Sequence, residues 1–102
     1  MTQSIFINMP VEDLPNSVEF FKALGFTVKE QFTGENNACM QVGDNIFAML
    51  TKKEQFAKII DKPVADKGTT EVLISVGLKS ADDVRHVTDA ALEQGARRIS
   101  EP

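Results

Sequence analysis

The chain has 102 residues, of which 42% are hydrophobic and 25% are charged, which is the size and composition of one ordinary globular domain. Its 11 basic and 15 acidic residues give a net charge of −4, which argues against nucleic acid as a partner because phosphate binding needs a basic surface. No apolar run approaches the roughly 18 residues that a membrane span requires. A single cysteine and the lack of a signal-peptide pattern favour a cytoplasmic location.

Residues 1–60 follow the order of one βαβββ module. Alternating apolar residues predict a first strand over residues 4–9. A helix should then begin at the N-cap Asp13, tolerate Pro15 in its first turn and end before Gly25. Strands are predicted over residues 26–32, 37–42 and 46–51 as an antiparallel meander, with a tight turn at residues 43–45. A short helix over residues 52–60 follows.

Residues 61–102 begin the same pattern again. The polar segment 61–68 contains Pro63 and Gly68 and is predicted to be a linker. A strand is predicted over residues 69–77, a helix from the N-cap Ser80 to Gly95, and a further strand from Ala96. The sequence therefore predicts an α+β fold of paired βαβββ modules, with the first at residues 1–60 and an incomplete second at residues 69–102.

The segment VEDLPNSVEFFKALGF at residues 11–26 resembles the opening of the glyoxalase/bleomycin-resistance/dioxygenase family, the vicinal-oxygen-chelate superfamily. The pattern in that family is V-x-D-L-x-x-S-x-x-F-Y-x-x-L-G-F, and Phe21 replaces its usual tyrosine. The resemblance implies two modules curled around a shared cavity, a homodimer in many members, and in some a lactoylglutathione lyase-like activity. The strands that would complete the second module are expected from a longer natural chain or from a second chain.

The resemblance also places four metal ligands, one on the first and one on the fourth strand of each module. The corresponding positions are Phe6, Met49 and Glu71, and the fourth ligand would follow Pro102. Phenylalanine cannot bind a metal, and a thioether is a poor ligand for the divalent ions of this family. We therefore expect no family-type metal site and no cofactor, although a divalent metal would be possible if further strands supplied ligands.

If Phe6 and Met49 point into the family cavity, strand alternation predicts which other residues line it. The expected ligand-binding residues are Phe6, Asn8, Cys39, Gln41, Phe47, Met49, Leu73 and Ser75. This mixture of apolar side chains and a few hydrogen-bonding groups is typical of a small-molecule pocket, although Phe6, Phe47 and Met49 are almost as well explained as core. The opposite sheet face is aliphatic and should pack on the helices.

These residues are compatible with three functions, so the sequence leaves open whether the chain is an enzyme. The first is a metal-independent, small-molecule-binding protein that acts as a homodimer. The second is a metal-dependent lyase, isomerase or dioxygenase in which Glu71 is catalytic, although a solvated carboxylate explains Glu71 more simply. The third is a module that binds a partner through an exposed sheet edge.

Overall fold

The computed structural model describes residues 3–69 and 72–97. One four-stranded sheet is ordered β1-β4-β3-β2, with β1 parallel to β4 and with β3 antiparallel to both of its neighbours. The elements are β1 (Ile5–Val11), α1 (Leu14–Ala23), β2 (Thr27–Val28), a 3-10 turn (Glu30–Phe32), β3 (Asn37–Gly43), β4 (Ile46–Lys52), α2 (Lys53–Ile60) and α3 (Ala81–Glu93). The βαβββ order and the α+β class are confirmed. Within the described part of the chain, no helix is long and apolar enough to cross a bilayer.

The limits of α1 follow the predicted signals. The Asp13 carboxylate accepts a hydrogen bond from the Asn16 backbone N–H at 3.1 Å, which satisfies one of the free donors at the start of the helix. Gly25, just after the helix, has φ +99°, a backbone angle that residues with a Cβ rarely adopt. Asp13 and Gly25 therefore fix both ends of the element that covers one face of the sheet.

The core lies between α1 and the sheet face that we call the helix face. Leu14 of α1 packs there against Ala38 and Met40 of β3 and Ala48 and Leu50 of β4. Met40 and Leu50 have no exposed surface. Burial of a side chain of this size contributes about 1.5–3 kcal/mol, so this layer holds the module together.

The strand predicted over residues 26–32 is wrong in its second half. β2 ends at Val28, and the chain then makes the 3-10 turn that contains Phe32. The Thr33 hydroxyl donates to the Lys29 carbonyl oxygen at 3.0 Å and accepts from the Cys39 backbone N–H at 3.0 Å. The Lys29 backbone N–H still donates to the Cys39 carbonyl oxygen at 2.7 Å, so the hydroxyl takes the place of the reciprocal ladder bond alone, as threonine hydroxyls can.

The second half differs from its predicted pattern at the strands and agrees at the helix. The strand expected over residues 69–77 is wrong for residues 72–77, which join no sheet in the described ranges. The helix is confirmed, because the Ser80 hydroxyl accepts from the Asp83 backbone N–H at 3.1 Å and Gly95 has φ +99°. Residues 96 and 97 carry no strand, and the rest of the strand predicted there lies outside the described residues. The module boundaries and the linker at residues 61–68 stay predictions.

Candidate functional site

Six of the predicted ligand-binding residues share one face of the sheet, which we call the front face. The register pairs Phe6 with Phe47 and Phe47 with Gln41, so these three residues form one row across three strands. Two residues along each strand, Asn8, Met49 and Cys39 form the next row on the same face. Paired residues of neighbouring strands point to the same side, so strand alternation alone brings these six side chains together.

An aromatic cluster lies on the front face beside the edge strand β1, near the β3–β4 turn. The rings of Phe6 and Phe47 are stacked, with centroids 4.7 Å apart and an interplanar angle of 16°. Phe32 meets Phe6 edge-on at 5.4 Å and 88°, and it lies 6.3 Å from Phe47. Phe47 is buried, whereas Phe6 and Phe32 are 39% and 41% exposed. The cluster therefore presents two partly open rings on a buried third ring.

Phe32 is the residue that the sequence interpretation missed. Alternation along residues 26–32 assigned it to the same side as Phe26 and Val28, which pack on the helix-face core. The 3-10 turn reverses that assignment and carries Phe32 to the front face. The nearby Thr33-Gly34 pair was a signal for a turn, although it does not specify on which side of the sheet the aromatic ring lies.

Asn37 holds the Phe32 turn against β4. Its side-chain Nδ2 donates to the Phe32 carbonyl oxygen at 2.8 Å and lies 2.9 Å from the Met49 sulfur. Both contacts fix the position of groups beside the aromatic cluster. Met49 is consequently a packed, half-buried residue of the front face.

Cys39 lies beneath the surface of the front face. Its side chain is fully buried, so its thiol has no contact with solvent. Burial raises the pKa of the Cys39 thiol, and the weaker influence of the Lys29 charge lowers it. A thiol that resists ionisation is a poor nucleophile. This environment suits a small packing residue.

Two side-chain amides flank the aromatic cluster on the front face. Asn8 is exposed, and Gln41 is half-buried. The Gln41 Nε2 donates to the Asp44 backbone oxygen at 3.3 Å, across the β3–β4 turn. An amide carries both donors and an acceptor, so either side chain can make a hydrogen bond to a polar ligand.

The remaining predicted residues are not brought to this face. Leu73 and Ser75 belong to the segment 72–80, which forms no strand, and the Leu73 side chain is 88% exposed. Glu71 lies outside the described residues, so its catalytic assignment stays a prediction.

The two positions in residues 1–60 at which the family resemblance places metal ligands carry side chains that do not fit a metal ion. The Phe6 ring is packed between Phe47 and Phe32, and the Met49 thioether lies against the Asn37 amide. Neither side chain is a ligand for a hard divalent cation. Across residues 3–69 and 72–97, no three His, Cys, Asp or Glu side chains form a group that could hold a metal.

Comparisons with known proteins agree with the module seen in the structure. Residues 3–43 match the family model described as bleomycin resistance protein-like N-terminal, a range that runs from before β1 to the end of β3. The solved structure of hypothetical protein SA1046 from S. aureus superposes with a TM-score of 0.82 and 28% sequence identity, over 100% of this chain and 77% of that chain. No curated protein matches the chain. These matches support the glyoxalase/bleomycin-resistance superfamily, and they do not specify a lactoylglutathione lyase-like activity.

Proposed function

We propose that the protein binds a small organic molecule on the front face, as a member of the glyoxalase/bleomycin-resistance type that works without the family-type metal site. The observation that carries this proposal is the aromatic cluster at the position of the first metal ligand. Phe6 there stacks on Phe47 at 4.7 Å and leaves part of its ring open.

The cluster has the properties of a preorganised apolar platform. The contacts among Phe6, Phe32 and Phe47 order the rings before any ligand arrives, so little side-chain entropy remains to be lost on binding. The amides of Asn8 and Gln41 at its border supply donors and acceptors. Apolar surface with a few directional polar groups is the usual composition of a small-molecule site.

Metal independence is tested by elemental analysis of untagged protein purified without chelators. We expect nickel, zinc, iron and manganese at far less than one ion per chain, because Phe6 and Met49 occupy two ligand positions. One tightly bound ion per chain would contradict this part of the proposal and would direct mutagenesis to Glu71.

Ligand binding is tested by NMR on protein with 13C-labelled methionine methyl groups and a library of small planar aromatic compounds. Met49 reports on the front face, whereas the fully buried Met40 reports on the helix-face core. We expect at least one compound to shift the Met49 signal alone. The shift should disappear in Phe6→Ala and persist in Phe20→Ala, a matched change on α1, where Phe20 contacts Phe21. A library that leaves Met49 unmoved would contradict the proposal.

A homodimer through β1 is the second candidate, because β1 is an edge strand of the described sheet. An edge strand presents unpaired backbone groups that a second strand can bind. Ile5 of this strand is 50% exposed. Sedimentation should show a dimer that Ile5→Lys weakens, and a monomer at every concentration would contradict this proposal.

A further inference from the structure

A concave site lies on the opposite side of the sheet from the aromatic cluster. It is a cavity of about 360 Å³, which we call the rear cavity. Ile7 and Met9 of β1 form part of its floor, and Phe21 of α1 forms one wall. Ile7 and Met9 alternate along β1 with the front-face residues Phe6 and Asn8, so the sheet itself separates the two sites.

The second half of the chain provides the other walls of the rear cavity. Ile74 and Val76 line it from the segment that forms no strand, and Val84 and Thr88 line it from α3. Residues 74 and 76 are alternate positions of the predicted strand, and both of their side chains line the cavity.

The lining of the rear cavity is apolar and partly exposed to solvent. Ile74, Val76 and Val84 are 40%, 55% and 46% exposed although each of them lines the rear cavity. Among the residues that the structure describes, Thr88 provides the one polar side chain of the lining, and none of the lining residues is charged. An apolar molecule in the rear cavity would remove this surface from water, which the hydrophobic effect makes favourable.

We propose that the rear cavity binds a small uncharged aliphatic molecule with one hydroxyl or carbonyl group. An engineered apolar protein cavity of about 150 Å³ holds benzene, so by proportion 360 Å³ has room for roughly fourteen non-hydrogen atoms. The Thr88 hydroxyl can make one hydrogen bond to a polar end group. None of the described lining residues carries a charge, so a charged ligand would find no ionic partner among them, which favours a neutral ligand.

The volume of the rear cavity favours a small molecule over a protein partner. A sphere of 360 Å³ has a surface of about 245 Å², whereas a stable protein interface buries about 800 Å² on each partner. The walls from β1, α1, α3 and the 72–80 segment also make the site concave, as small-molecule sites usually are.

The test uses 1-octanol as the probe and 13C-methyl NMR as the readout. We expect saturable shifts at Met9, Ile74 and Val84, with no shift at Met49 on the front face or at the exposed Ile59 of α2. The proposal would be overturned if octanol shifts none of the three lining methyl signals. It would also be overturned if octanol shifts the Met49 and Ile59 methyl signals as much as the lining signals. This readout is independent of the proposed function, because Phe6→Ala should leave octanol binding unchanged.

A pair of matched variants tests the position of the site. Val84→Phe places a larger side chain in the rear cavity from a partly exposed helix position, and we expect it to weaken octanol binding at least tenfold. Val72→Phe is the control, because Val72 is similarly exposed at 49% and does not line the cavity. If both variants keep the helical circular dichroism signal and bind octanol equally, the proposal is wrong.

A second copy of the chain could instead cover the cavity, and the same variants distinguish that case. Sedimentation would then show a dimer that Val84→Phe dissociates, and octanol would not bind the dimer. That combination would also overturn the small-molecule proposal.

Discussion

The aromatic cluster on the front face should contribute a measurable coupling energy to folding. Phe6 meets Phe32 edge-on at 5.4 Å, and aromatic pairs in this geometry contribute about 0.5–1.5 kcal/mol beyond the area that they bury. A double-mutant cycle with Phe6→Leu and Phe32→Leu isolates that pair, because the contacts of each ring with Phe47 cancel in the cycle. We expect a coupling in the lower half of this range, since both rings are about 40% exposed.

Urea unfolding followed by helical circular dichroism is the suitable assay, because the chain has no tryptophan or tyrosine to give a fluorescence signal. The matched control is a cycle between Phe6→Leu and Phe20→Leu. Phe20 belongs to α1 and contacts Phe21, so these two changes should add within about 0.3–0.5 kcal/mol. A Phe6–Phe32 coupling no larger than that of the control would refute the packing of these rings and remove the preorganised platform.

Three further perturbations probe the core, the helix ends and the buried thiol. Leu50→Ala should lower the free energy of unfolding by about 2–5 kcal/mol, because Leu50 has no exposed surface, and a loss below about 1 kcal/mol in urea unfolding would contradict the core assignment. Asp13→Ala and Ser80→Ala should each cost about 0.5–2 kcal/mol by removing an N-cap hydrogen bond, and thermal melts that match the unmodified protein would argue against these caps. Cys39 should react with a disulfide reagent much more slowly than glutathione does, because burial raises its pKa. Above the ordinary thiol pKa, the unfolded thiol ionises first, so stability should fall with rising pH relative to Cys39→Ala, and equal pH profiles would contradict the raised pKa.

Much of the first module could be predicted because its signals are local. The N-cap Asp13 and the terminal Gly25 set the ends of α1 without help from tertiary contacts. Alternation along β4 separated Phe47 and Met49 from the core residue Leu50, and the register bears out this division of faces.

The errors arise where tertiary contacts decide the structure. Phe32 changed face because Thr33 bonds to Lys29 and Cys39, which are contacts that periodicity does not encode. The pattern over residues 72–77 has the period of a strand, but a strand also needs a neighbour to receive its backbone hydrogen bonds. Sequence periodicity indicates which side chains share a face and does not supply that neighbour.

The parallel pairing of β1 with β4 has a consequence for the order of folding. Ile5 lies beside Ile46, so the edge strand must wait for a partner about forty residues later in the chain, whereas β3 and β4 meet through a short turn. Pulsed hydrogen exchange should therefore show amides of β3 and β4 protected before those of β1, and the reverse order would contradict this reasoning. During synthesis on the ribosome, β1 remains without its partner strand until the chain has been extended to residue 52, the end of β4.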